Sequence, residues 1–233
     1  MQVIDVPAAQ GSTWLKDAFT LFRAQPMAWI VLTVAWLLLI FGSLLSQFTR
    51  GLVAVLQPAI FAGFALACRH QEQGGKVTVG HLFVALRFNP RPLVMIGTVI
   101  VTFDLLVPLL LQFVMDIPPP VPLEASADMM EQIQAFVHGR ETLLIIFFAL
   151  DSLLRTLLWF VAPLLAFNKM SAWHAVRWSV YASLSNLVPL SVFGLLMMLL
   201  FLAALLTGGI GLVIALPLLA IANYTSYRRV FTE

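Results

Sequence analysis

The sequence predicts an all-α, polytopic transmembrane bundle, and three observations predict it. Hydrophobic residues make up 61% of the 233-residue chain and charged residues only 10%, against about 25% charged in a soluble domain. Mean hydropathy is +0.97. Charge-free apolar runs recur at the length that a hydrocarbon core of about 30 Å asks of a helix, roughly 20 residues. A water-soluble fold has too little interior for this apolar area, and a disordered chain needs the opposite composition.

Residues 12–25 open the chain as an amphipathic helix. Lys16, Thr20 and Arg23 fall on one face, and Trp14, Ala18, Leu21 and Phe22 fall toward the other. Pro26 ends or bends it. The first 12 residues carry Asp5 and no Lys or Arg, so no secretory signal is expected there. Span one is read at 27–48 and span two at 52–68, separated by Arg50 and Gly51. A second amphipathic stretch, 79–88, sets His81 and Arg87 against Leu82, Phe83 and Leu86. Span three, 93–115, contains Asp104, and span four, 142–167, contains Asp151 and Arg155. Between them lies an outer loop, 116–141, with Pro118, Pro119 and Pro120 and the acids Asp116, Glu124, Asp128, Glu131 and Glu141, in which Met129 to Val137 is read either as a short surface helix or as part of a plain acidic spacer. A third amphipathic stretch, 171–185, places Trp173, Val176, Val180 and Leu184 against His174, Arg177 and Ser185. The 50 residues between Arg177 and Arg228 lack Asp, Glu, Lys, Arg and His. At the helical rise they would extend about 75 Å, so they are divided at Gly208, Gly209 and Gly211 into spans five, 187–206, and six, 210–226.

Six spans with the amino terminus inside place ten basic residues on the inner side: Lys16, Arg23, Arg69, Lys76, Arg87, Arg91, Lys169, Arg177, Arg228 and Arg229. Arg50 and Arg140 fall outside. The positive-inside bias therefore puts both termini in the cytoplasm. Each even-numbered span also carries a proline, Pro58, Pro163 and Pro217, that removes a backbone donor and bends its helix. Trp14 precedes Pro58, and Trp173 precedes Pro217, by the same 44 residues. These matches predict one integral membrane domain, 1–233, made of three units, 12–69, 79–168 and 171–228. Each would be a surface helix, an outward span and an inward span, giving a pseudo-threefold parallel repeat.

Asp104, Asp151 and Arg155 are the expensive residues, because an ionised group at mid-bilayer needs a partner or a cavity. Helical rise puts them about 18, 15 and 21 Å from the outer ends of their spans. Asp151 and Arg155 stand at i and i+4 on one face, and the five donors of Arg155 are enough for both carboxylates. The three are read as a buried polar cluster, either a structural clasp or a substrate or ion determinant. Asn168, Asn186 and Asn223 are read as caps or interhelical bonds, and Tyr224, Tyr227, Arg228 and Arg229 as interfacial anchors. Ala59, Gly63 and Ala67 give span two a close-packing face.

Catalytic, cofactor-binding and metal residues are assigned to none of the side chains. Cys68 is the single cysteine, and His70, His81, His138 and His174 stand far apart. No phosphate loop, zinc-protease motif or nucleophile elbow occurs. A net charge of +2 without a basic stripe gives no nucleic-acid surface.

The run Trp14-Leu15-Lys16-Asp17-Ala18-Phe19-Thr20-Leu21-Phe22-Arg23 with Pro26 and Trp29 resembles an uncharacterised family of multi-spanning bacterial, mostly proteobacterial, inner-membrane proteins. The likeness continues at 58–69, at His81-Leu82-Phe83, at 186–189 and at 224–231. The family's last motif has an acid after its Tyr-Arg pair, where this chain has Arg229. The resemblance implies the bacterial inner membrane and no activity. The functional expectation is a non-enzymatic, membrane-organising or partner-binding protein, with the bilayer as one partner and a homo-oligomer or another membrane protein left open. The alternative is a small-solute or ion transporter that uses Asp104, Asp151 and Arg155.

Overall fold

The computed structural model describes residues 2–117 and 129–232. Pro118 to Pro120, Glu124 and Asp128 of the expected outer loop lie outside the described residues. Among those described, eleven helices and two short strands are ordered β1 (Gln2–Val3), α1 (Gln10–Ala24), α2 (Pro26–Ser43), α3 (Gln47–Glu72), α4 (His81–Phe88), α5 (Pro90–Val114), α6 (Met129–Val137), α7 (Glu141–Leu157), α8 (Val161–Phe167), α9 (Ala172–Ser185), α10 (Leu187–Leu206), α11 (Leu212–Val230) and β2 (Phe231–Thr232). The chain forms two compact units, Met1–Thr98 with Thr156–Glu233, and Val99–Arg155.

The first unit is built around α3 and α11. Pro26 occupies the first turn of α2, where its missing N–H costs nothing. Ser46 caps α3 by accepting from the Thr49 amide. The small residues Ala59, Gly63 and Ala67 are buried along α3. They let α4 lie directly on it: a Cβ at Gly63 would collide with the carbonyl oxygen of His81. Trp14 and Ala18 of α1 are fully buried, and α1 packs against α10 and α11. Trp29 and Trp36 of α2 pack on Phe64 of α3. Gly208 and Gly209, with φ of 68° and 86°, turn the chain after α10, a backbone shape that glycine adopts without strain. α11 then brings the carboxyl end to β1, where β2 pairs antiparallel with it, Gln2 opposite Thr232 and Val3 opposite Phe231.

The second unit contains the outer part of α5, then α6 and most of α7. Of the two readings of Met129–Val137, the helix is the one formed, as α6. Arg140 is buried and donates from Nη1 to the carbonyl oxygens of Ala135 and Phe136, closing the last turn of α6.

Two expectations are corrected. Among the described residues five helical segments, not six, are long and apolar enough to cross a membrane: α2, α3, α5, the Glu141–Phe167 run and α10. The expected sixth span falls on α11. There the run without charge is not a run without polarity, since Asn223, Tyr224, Thr225, Ser226 and Tyr227 precede Arg228 and Arg229. The apolar part, 212–222, extends only about 16 Å at the helical rise. The threefold repeat is also absent. Trp14 is fully buried, whereas its supposed equivalent Trp173 is 66% exposed. α9 instead buries Ala172, Ala175, Ser179, Ala182 and Ser183. Prolines are not confined to alternate spans either, as Pro108 lies inside α5 and Pro189 inside α10.

Candidate functional site

The three charged residues singled out by depth come together within the Val99–Arg155 unit. Arg155 Nε donates to Asp151 Oδ2 at 2.9 Å across one turn of α7. Its Nη2 donates to both carboxylate oxygens of Asp104 on α5, at 3.0 and 3.3 Å. One guanidinium thus holds two carboxylates through separate nitrogens, which fixes the facing register of the two helices. The cluster carries one net negative charge when all three are ionised. It is not enclosed by the chain: the side chains of Arg155, Asp104 and Asp151 are 53%, 33% and 18% exposed. Around it α5 and α7 present Leu105, Leu109, Phe148 and Leu153, each more than half exposed.

A second polar arrangement lies in the first unit, where the Glu141–Phe167 run is broken between α7 and α8. Pro163 has no N–H to give the Trp159 carbonyl. Asn223 Nδ2 of α11 takes that carbonyl at 2.6 Å. Ser183 donates to the Thr156 carbonyl at 2.8 Å and Ser179 to that of Leu157 at 2.7 Å. Ser179 also accepts from the Phe160 amide at 3.1 Å, and Trp159 Nε1 donates to Ser226 at 2.9 Å. Inside a bilayer no water satisfies these groups, so side chains must. Pro58 and Pro217 lie inside α3 and α11. Asn168 donates to the Leu164 carbonyl and to Tyr227, and Asn186 bridges the Ile4 carbonyl and the Val6 amide.

Near the end of α11, Arg228 pairs with Glu72, and Arg229 pairs with Asp17 at 2.9 Å. Tyr224 donates to Glu72 at 2.5 Å. Asp17 and Glu72 were not anticipated as partners. The signal was two adjacent arginines at the end of a helix that carries no acid of its own, which asks for acids from elsewhere in the fold. Ser179 and Ser183 were missed as well, since a serine in an apolar helix reveals its acceptor only in three dimensions. His70 and His81 bring their rings to 5.3 Å. Among the described residues, no group of three or more His, Cys, Asp or Glu is arranged to hold a metal ion.

No family profile matches the chain, and no solved structure matches it. Over 78 residues, 33% of this chain, it is 36% identical to a protein of Burkholderia thailandensis described as a probable inner membrane protein. The matched part is 29% of that protein's length. With five apolar helices of membrane length, the chain is a multi-pass integral membrane protein of the bacterial inner-membrane kind.

Proposed function

We propose that the chain is a non-enzymatic, partner-binding protein of the inner membrane, and that the Asp104–Arg155–Asp151 face of α5 and α7 docks another membrane helix. The observation that carries this reading is the exposure of an ion cluster on helices that cross the bilayer. A guanidinium at mid-depth costs at least about 2.5–3.5 kcal/mol in lipid and normally faces protein or a water-filled cavity. Here the chain itself leaves Arg155 more than half uncovered. The surplus negative charge suits a partner with a basic or hydrogen-bond-donating side chain. A second copy would bring a like charge to the same depth, so a different membrane protein is favoured over self-association through this face. The test places a photo-crosslinking residue at Phe148 in native membranes. A discrete adduct that disappears in Arg155→Leu is expected; no adduct, or one indifferent to Arg155, overturns the reading.

One observation favours the transporter reading as a second: two carboxylates share one guanidinium, an arrangement with room for a proton. Asp104→Asn would then leave abundance unchanged and abolish a pH-dependent flux in proteoliposomes. The reading fails if no flux is found in the native chain. The proposed orientation has both termini cytoplasmic. It is supported by the basic residues that precede the first span and join the second to the third, Lys16, Arg23, Arg69, Lys76, Arg87 and Arg91, and by the pairing of β1 with β2, which sets the two ends side by side. Reporter fusions at either end that score periplasmic would refute it. The likeness to the uncharacterised inner-membrane family belongs to the same proposal, and it assigns no activity.

A further inference from the structure

We infer that the outward face of α9 is a binding site for the headgroup of an anionic glycerophospholipid, with Arg177 receiving the phosphate. α9 turns its small residues inward, so that Ser179 and Ser183 reach the carbonyls freed where α7 ends. Its large residues are therefore left outside: Trp173, Tyr181 and Leu184 are 66%, 59% and 57% exposed. Trp173, Arg177 and Tyr181 stand four residues apart and form one stripe along the helix. A guanidinium with an amphipathic aromatic one turn to either side suits the level of lipid headgroups, where Trp and Tyr place their rings.

The stripe lies on an open surface to which His174 and Trp178 also contribute. Ser171 lies 2.8 Å from His174 Nδ1 and fixes the imidazole on the same turn. The charge on this face has one sign. From 152 to 232 the chain contains no Asp or Glu. Arg228 and Arg229 are neutralised by Glu72 and Asp17, whereas Arg177 and the preceding Lys169 form no ion pair among the described residues. A planar guanidinium binds a phosphate through two parallel donors. Connectivity supplies the acyl chains with a place: α9 ends at Ser185, and α10, of membrane length, begins at Leu187. Leu184 therefore leads from the basic stripe toward hydrocarbon.

The experiment titrates the purified full chain in neutral detergent with phosphatidylglycerol and, separately, with phosphatidylcholine of the same acyl chains. It follows retained lipid by native mass spectrometry and melting temperature in parallel. Phosphatidylglycerol is expected to bind and stabilise, and Arg177→Gln to weaken its binding about tenfold at unchanged folded yield. Equal retention of both lipids, or an unchanged Arg177→Gln, overturns the inference. A third arm adds millimolar inorganic phosphate: if it displaces phosphatidylglycerol completely, the site takes free phosphate and the lipid assignment is wrong. Should Arg177→Gln fail to fold, Trp173→Leu with His174→Gln decides by the same criterion.

Discussion

The unit built on α3 and α11 and the unit from Val99 to Arg155 are made of comparably apolar helices, and they treat polar side chains in opposite ways. In the first, many uncharged polar groups are buried and matched to backbone or to another side chain, while Trp14 Nε1, the Thr33 hydroxyl, Trp36 Nε1 and Asn223 Oδ1 find no partner among the described residues. Trp29 Nε1 donates to Gln71 Oε1 at 2.8 Å, Gln71 donates to the Leu21 carbonyl at 2.8 Å, and Thr225 donates to the Trp14 carbonyl at 2.9 Å. In the second, Arg140 is buried on the carbonyls of α6, but the Asp104–Arg155–Asp151 cluster is ionic and its guanidinium is 53% exposed. Half of the apolar window of α3 is buried inside the protein, against 17% for α5 and 11% for the Glu141–Phe167 run. Neutral hydrogen bonds complete a fold from within, because both partners leave water and meet each other. An exposed charge at mid-membrane depth is complete only with something from outside the chain.

The contrast is broken most sharply by truncating an aromatic in each unit. Phe64 is fully buried and Phe113 is 84% exposed. Phe64→Ala should cost about 3–5 kcal/mol, whereas Phe113→Ala should stay within about 0.5 kcal/mol. Equilibrium unfolding in detergent measures both, and similar losses would mean that the second unit has a core of its own. A smaller effect comes from Asn223→Leu. It strands the Trp159 carbonyl that Pro163 leaves open, at about 1–3 kcal/mol; a loss below that range would show that the α7–α8 break needs no clasp. Smaller again is Arg155→Leu in detergent. The chain leaves Arg155 53% uncovered, so the cost should be about 1 kcal/mol, while the crosslink at Phe148 in native membranes disappears. A large loss of stability in detergent would move the cluster from a docking role to a structural one. The smallest is Arg228→Gln. Its side chain is 43% exposed, so the change should be worth about 0.2–1 kcal/mol and should fade at high salt.

The legible parts of the molecule were those set by local spacing. Asp151 and Arg155 at i and i+4, with Asp104 at a similar depth in the preceding span, were enough to foresee the contact that one guanidinium makes with both carboxylates. α6 was readable over its full length as one of two alternatives. The sixth span was misread because a stretch without charge was taken for a stretch without polarity: Asn223 and Thr225 donate to the distant carbonyls of Trp159 and Trp14, Tyr224 donates to Glu72, and Tyr227 accepts from Asn168. α9 was legible as an amphipathic surface helix, but not which of its faces meets the rest of the protein. In a membrane protein the lipid side is apolar too, so small residues take the helix–helix contact. Nothing local near Trp159 announces that Asn223, 64 residues later, will take its carbonyl.

The β1–β2 pairing has a consequence for synthesis. The Ile4 amide donates to the Val230 carbonyl at 2.8 Å, and α1 packs on α10 and α11, which leave the ribosome long after it. Trp14 therefore emerges long before the surfaces that bury it. Until translation reaches α10, whose Phe193 packs on Trp14, the buried face of the first helix lacks most of its cover. Closure of the first unit is thus a late, post-insertion event, and a chain that stalls before α10 exposes Trp14 to whatever quality-control machinery patrols the bilayer.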